Sequence, residues 1–215
     1  MVKLSALMAI KQLRRPVFTT REIAASCGGT SSNAVQALRH LEREGILFQI
    51  AKGVWGLDIG KEKISAYSAI PFLLAHRAYV SFISALHLHG IIEQIPQGVT
   101  LASTSHTRTL HTKLGTYFIH QISPSFFKGF DWYKVDGNFL IAEPEKALVD
   151  CLYLSARKKK QFGYFPELNF PDSFSFERAK KWAKSIPDSK IRLAVMRKLE
   201  ALLIDTTKAR EHTRY

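Results

Sequence analysis

Between residues 31 and 44 the polar side chains follow a period. Ser32, Gln36, Arg39 and Arg43 are spaced by four, three and four residues, so on a helix they share one side, while Ala34, Leu38 and Leu41 share the other. The chemistry such a strip offers is edge recognition. An arginine fork bonds guanine O6 and N7 together, and a glutamine amide does the same for adenine N6 and N7. The hydroxyls of Ser31 and Ser32, beside the free amides of a helix start, suit a phosphate oxygen. Asn33 and His40 on the same segment complete the candidate contacts. Taken alone, the segment also fits an ordinary amphipathic helix with a wetted outer face.

The flanking elements decide how such a strip is held. Ala6, Leu7, Ile10 and Leu13 recur at helical spacing and predict a first helix ending before Pro16. Thr19 or Thr20 can cap a second helix, TREIAAS, with Glu22 in its positively polarised first turn. Cys27-Gly28-Gly29 makes a short turn, Thr30 or Ser31 caps the third helix, and Gly45 ends it. That order predicts a helix-turn-helix. ILFQI (46–50) and VWGL (54–57), joined through Ala51-Lys52-Gly53, predict a small hairpin directly after the third helix. Such a hairpin is a wing, and Lys52 at its tip is placed to reach a phosphate or the minor groove. A winged helix used only for protein contacts remains an alternative.

Residues 61–75 read as a connector containing a helical stretch interrupted by Pro71. Beyond it the pattern is mixed. AYVSFISALHLHG (78–90) predicts a helix, and VTLAS (99–103) and TYFIHQI (116–122) predict strands. WYKV (132–135) and NFLIA (138–142) flank the turn signal Asp136-Gly137. Pro144 opens a helix, EKALVDCLYLSA, and ERAKKWAKSI and SKIRLAVMRKLEALL are two more, separated by Pro187. The last residues, TTKAREHTRY, read as a frayed tail. The expected fold class is α+β. An N-terminal winged helix-turn-helix (1–60) is followed by the connector and then by a mixed α/β domain (76–215) with a small sheet flanked by helices.

Other residues tempt a catalytic reading: Ser84, His87, Glu93, Glu143, Glu145, Lys146 and Asp150. His87 and His89 are two apart and splay on a helix, without the spacing of four that places two metal ligands on one face. Glu143, Glu145 and Lys146 stand at a helix start, where carboxylates answer the macrodipole and one can pair with Arg77 or a neighbour. Lys146 and Asp150, four apart, are expected to pair on the surface. Asp136 with the Glu143–Lys146 run fits a metal-dependent nuclease pattern, but Asp136 has a simpler use in its turn. Neither a phosphate-binding glycine loop nor a nucleophile elbow is present in the sequence. The reading therefore calls for no catalytic residue, no cofactor and no metal.

A formal charge of +13 asks for a polyanionic partner. Residues 1–60 carry +4, residues 61–155 carry +1 and residues 156–215 carry +8. The C-terminal excess includes Arg157, Lys158, Lys159 and Lys160 in a row, Lys180, Lys181 and Lys184, and Arg192, Arg197 and Lys198. These tracts fit a second contact to the DNA backbone, a docking surface for an acidic partner, or solvated faces; at least one is read as a backbone contact, with Lys158, Lys159 and Lys160 chosen. No apolar run reaches the roughly 20 residues a membrane helix needs. Lys11, Arg14 and Arg15 break the signal-like start, and the two cysteines lie far apart, which together predict a reduced cytoplasmic protein with no membrane partner.

The run YVSFISALHLHGIIEQIPQ (79–97), then VTLAS, then IAEPEKALVDCLYL (141–154), resembles the AbiEi-type antitoxins of type IV, abortive-infection toxin–antitoxin systems. The likeness spans about residues 5–205, and PEKALVD is its more specific piece; the basic C-terminal segment departs from it. The resemblance implies an N-terminal winged helix that represses its own operon at inverted repeats. It also implies a C-terminal domain that neutralises a neighbouring nucleotidyltransferase-like toxin, by direct contact or indirectly. The reading that follows is a non-enzymatic, sequence-specific repressor and antitoxin. Its DNA contacts are Ser31, Ser32, Asn33, Gln36, Arg39, His40, Arg43, Lys52 and Lys158–Lys160, with two copies expected on an inverted-repeat operator. Its rivals are a winged-helix-targeted nuclease and a regulator with no toxin partner.

Overall fold

The computed structural model describes residues 5–58, 63–74, 77–133, 139–157, 162 and 165–212, with side chains described as far as Thr206. The chain is a mixed α+β protein that divides into two compact units, Met1–His76 with His111–Thr116, and Arg77–Leu110 with Tyr117–Tyr215.

In the first unit, helix α1 (Ala6–Leu13) leads into a short strand β1 (Val17–Thr19), and helices α2 (Thr20–Cys27) and α3 (Ser31–Arg43) follow. Strands β2 (Leu47–Ala51) and β3 (Val54–Leu57) then form a hairpin. The strand β1 was not expected from sequence; it pairs antiparallel with β3, giving a three-stranded sheet in the order β1-β3-β2. Three residues give too short a pattern to be seen as a strand. The helices and sheet close on one core of Ile10, Phe18, Ile23, Leu38, Leu47 and Trp55.

Each helix starts and stops where its sequence dictates. Thr19 and Glu22 form a reciprocal capping box on α2, and Gly28 ends that helix at φ 61°. Thr30 caps α3 by accepting from the Asn33 amide at 3.3 Å, and the amide of Ile46 bonds back to the Leu41 carbonyl across Gly45. The expected connector packs on this unit. A 3-10 turn (Ala66–Ala69) runs into α4 (Ile70–Leu74), with Pro71 in the first turn and not as an interruption. Ile64, Ala69, Phe72 and Leu73 pack around Val17, Ile50 and Val54.

The second unit is built on a six-stranded mixed sheet. Its strands are β4 (Ala78–Val80), β5 (Val99–Ser103), β6 (Arg108–Thr112), β7 (Gly115–Gln121), β8 (Phe130–Trp132) and β9 (Leu140–Ala142), in the order β6-β7-β5-β4-β9-β8. The pairs β4–β5 and β8–β9 are antiparallel, while β5–β7 and β4–β9 are parallel. Residues 78–90, expected as one helix, divide into β4 and a shorter helix α5 (Phe82–Leu88). The split falls at Ser81, and Phe82 sits at φ 56°, a conformation that breaks the strand and turns the chain into the helix. The Asp136-Gly137 turn lies outside the described residues.

Helix α6 (Pro144–Ser155) is buried on all sides from Glu145 onward. Helices α7 (Phe176–Lys184) and α8 (Ser189–His212) follow. The expected frayed tail is largely the last turns of α8.

Candidate nucleic-acid interface

Ala34, Leu38 and Leu41 anchor α3 in the core of the first unit, which fixes the opposite side outward. Ser31, Ser32, Gln36, Arg39 and Arg43 are all exposed there, and Arg43 Nε donates to the Arg39 carbonyl at 3.4 Å. At about 100° per residue, Asn33 and His40 stand roughly 100° or more round from Arg39, away from that strip. His40 pairs there with Glu44 at 3.1 Å.

The hairpin is fastened to the start of α2 by two bonds. The Thr20 amide donates to the Gly53 carbonyl at 3.0 Å, and the buried Trp55 Nε1 donates to Thr20 Oγ1 at 2.9 Å. Gly53 takes φ 78°, a left-handed turn conformation that a residue with a Cβ resists, and it leaves Lys52 exposed at the tip. The β2–β3 turn is thus held over the first turn of α2.

Between α2, α3 and the hairpin lies a groove of about 560 Å³, lined in part by Arg21, Ser31, Val35, Arg39, Gln49 and Lys52. The side chains of Arg21, Arg39 and Lys52 have no ion-pair or hydrogen-bond partner among the described residues. The acids of the same helices are committed elsewhere. Glu42 accepts from the Gln49 amide at 3.1 Å and pairs with Lys113 at 3.7 Å. Glu22 is bound by Arg15 and by the Thr19 amide and hydroxyl. Burial pushes the Glu22 carboxyl up, but the bonds from Thr19 and Arg15 outweigh it and hold the group below the usual carboxylate range. The groove therefore keeps uncompensated positive charge on a concave wall, an arrangement that attracts polyanions.

Of the residues expected from sequence, Ser31, Arg39 and Lys52 meet at this groove, while Ser32, Gln36 and Arg43 continue the exposed strip of α3 beside it. Lys158, Lys159 and Lys160 lie outside the described residues. Sequence reading missed Arg21, Val35 and Gln49. Arg21 sits in the first turn of α2, and the β1–β3 pairing with the hydrogen bonds from Thr20 and Trp55 brings the hairpin beside it.

The PEKALVD segment builds a different kind of place. Lys146 and Asp150, expected to pair on the surface, form an ion pair that is 0% exposed on both sides. Lys146 Nζ also donates to Tyr79 Oη at 2.9 Å and lies 3.8 Å from the Phe126 ring centre. Asp150 Oδ2 accepts from Tyr79 Oη at 3.0 Å and from Ser81 Oγ at 2.7 Å. Burial lowers the Lys146 ammonium below its ordinary value against the pull of Asp150, and burial with the Asp150 charge raises Tyr79 well above its own. Glu145, 1% exposed, accepts from the Ser175 amide at 2.9 Å and pairs with Arg178 at 3.1 Å, and Glu143 accepts from Trp182 Nε1 at 3.1 Å. The partners of both acids come from α7 and its cap, not from Arg77. His87 and His89 each meet a backbone carbonyl, of Ile92 at 3.3 Å and Ala142 at 2.8 Å. Among the described residues, no group of three or more His, Cys, Asp or Glu is placed to hold a metal ion.

Several C-terminal cations also have partners within the second unit. Arg157 donates to the Gln121 carbonyl, Lys180 pairs with Glu177, Arg192 donates to the Ile186 carbonyl and Lys198 donates to Ser155. Lys181, Lys184 and Arg197 stand exposed. No described helix is long and apolar enough to cross a membrane.

No protein-family model and no curated protein matches the chain. Among solved structures, the RV2827C protein from Mycobacterium tuberculosis is similar, with a TM-score of 0.57 and 16% identity over 91% of this chain and 75% of that one. At that identity the likeness is one of fold, a mixed α+β architecture spanning both units.

Proposed function

We propose that the first unit is a winged helix-turn-helix and that the chain is a sequence-specific DNA-binding repressor. One observation carries this reading: the cationic side chains of Arg21, Arg39 and Lys52 line a single groove without partners among the described residues, beside an exposed polar strip on α3. Helix α3 enters the major groove and reads base edges through Gln36 and Arg39, with Ser31 and Ser32 close to the backbone. Arg21, Arg43 and Lys52 sit on phosphates, and the β2–β3 hairpin acts as the wing. Two copies occupy an inverted repeat. The resemblance of the PEKALVD segment to AbiEi-type antitoxins extends the reading to a cytoplasmic antitoxin against a nucleotidyltransferase-like toxin. Burial of Glu145, Lys146 and Asp150 supports the non-enzymatic form of this reading, because none of the three can reach a substrate phosphate.

The test is a gel shift on the DNA upstream of the protein's own gene. Arg39→Ala is expected to lose about 1–3 kcal/mol on the specific site and to relax its sequence preference. Lys52→Ala is expected to weaken all duplexes alike and to lower the salt slope by about one. Specific binding that survives Arg39→Ala intact overturns the assignment of the reading face. Growth with the neighbouring toxin co-expressed tests the antitoxin role separately: rescue supports it, and unrelieved toxicity leaves a regulator without a toxin partner.

A further inference from the structure

One residue that α3 gives the groove is out of character with the polar residues on either side of it along the helix. Val35 lies one helical turn from Ser31 and one from Arg39, and all three line the groove. The apolar residues that α3 commits to the core, Ala34, Leu38 and Leu41, are buried, whereas Val35 is only partly covered. It is the one aliphatic side chain that α3 gives the groove, set between the Ser31 hydroxyl and the Arg39 guanidinium, while Val54, Trp55 and Phe72 line the groove from the hairpin and α4. The major-groove edge of DNA carries one apolar feature, the C5-methyl group of thymine, and a small aliphatic side chain is its natural contact. Arg39, the next residue along the same line of the helix, offers the two-pronged donor that fits guanine. Residues four apart on a helix are displaced by about 6 Å along its axis, and successive base pairs by about 3.4 Å. Val35 and Arg39 therefore reach base pairs no more than about two steps apart.

We infer that Val35 is a specificity-determining residue that reads a thymine methyl lying within two base pairs of the guanine read by Arg39. The inference rests on the DNA-binding reading above and sharpens it into a local sequence requirement. The Arg39 fork supplies most of the discrimination at the guanine. The valine contact rejects cytosine, which has no methyl group, and a bare purine edge at the neighbouring pair.

The test starts from a site selected by the full-length protein out of a randomised duplex pool. Each thymine of that site is then replaced by deoxyuridine, which removes the methyl group and nothing else. For the wild-type chain one such replacement, close to a guanine, is expected to weaken binding about fourfold, the worth of burying one methyl-sized group. Val35→Ala is expected to bind the unmodified site more weakly by a similar factor and to be indifferent to that replacement. Val35→Ile, which keeps the apolar surface, is expected to retain the preference. Replacing the nearby guanine with 7-deazaguanine is expected to affect wild type and Val35→Ala, but not Arg39→Ala. A selected site that tolerates deoxyuridine everywhere, or that loses affinity equally for wild type and Val35→Ala, overturns the valine assignment alone. A pool that yields no enriched site overturns the DNA-binding reading and this inference with it.

Discussion

Removing one member of the buried Lys146–Asp150 pair should take away a large share of the second unit's stability. Both side chains are fully buried, and the pair is completed by Tyr79 and Ser81. Lys146→Met keeps the length of the stem but strands the Asp150 carboxylate among two hydroxyls with no cation. Breaking one side of a buried ion pair costs about 3–5 kcal/mol. Whole domains are stable by only about 5–15 kcal/mol. In a chain of this size each kcal/mol moves Tm by roughly 2–4 °C, so the loss should approach ~10 °C. Asp150→Asn strands the lysine in turn, but with a different pH signature. Burial already holds Lys146 below its ordinary value. With Asp150 neutral, the unfolded chain binds more protons than the folded one over the range between the folded and unfolded values, so stability rises with pH there. The deficit of Asp150→Asn should shrink as the solution is made alkaline, while that of Lys146→Met should not. The double variant Lys146→Met/Asp150→Asn removes both charges and leaves the Asn carbonyl to accept from Tyr79 and Ser81. Its remaining defect is one unsatisfied amide, about 1–3 kcal/mol. Urea denaturation followed by far-UV circular dichroism measures all three. A Lys146→Met loss under about 1 kcal/mol, or a double variant no better than Lys146→Met, refutes the reasoning.

Three further outcomes follow from named contacts. Thr20→Val deprives the buried Trp55 Nε1 of its acceptor and should destabilise the first unit by about 1–3 kcal/mol, read from its urea midpoint; an unchanged midpoint would mean the bond carries nothing. Gly129 has φ 80°, and a Cβ there would meet the Trp182 ring at 2.7 Å, so Gly129→Ala should cost about 1–3 kcal/mol in backbone strain alone, with more from the displaced indole; thermal unfolding decides it. Glu22 has a lowered folded value, so the stability it contributes is present above the unfolded carboxylate value and is lost as pH falls through the folded one. Glu22→Gln should flatten that acid-side slope in pH-dependent unfolding curves, and an unaltered slope would assign it to other groups.

The first unit was legible because its signals are local. Capping residues at Thr19 and Thr30, glycines at 28, 45 and 53, and the alternation of Ala34, Leu38 and Leu41 with polar neighbours each act within a few residues of themselves. They place α2, α3 and the hairpin, and so place Ser31, Arg39 and Lys52. The strand β1 and the contribution of Arg21 were not legible, because both depend on pairing across the unit: Phe18 with Trp55, and Thr20 with the Gly53 carbonyl. Neither partner is marked in the sequence near the other. The same holds for Val35, whose valine reads as one more helix residue until the groove beside it is seen.

The PEKALVD segment shows the opposite relation between sequence and place. Its charges at Glu145, Lys146 and Asp150 invite a surface or catalytic reading, since charged side chains are rarely fully buried. The clue that they are buried is distant: a tyrosine at 79 and a serine at 81, on a strand more than sixty residues earlier, supply the hydroxyls that satisfy Lys146 and Asp150, and Ser175 and Arg178, some thirty residues later, satisfy Glu145. Because β4 is only three residues long and runs straight into α5, its pattern reads as the start of a helix and hides the role of its hydroxyls. A helix whose carboxylates and ammonium all turn inward must meet partners at matching heights, and a one-residue slip of β4 would place Tyr79 and Ser81 on the wrong face of the sheet. That requirement ties the PEKALVD spacing to the Tyr79-x-Ser81 spacing. It makes the segment a distinctive sequence signal for reasons of folding, whatever surface of the second unit meets a partner.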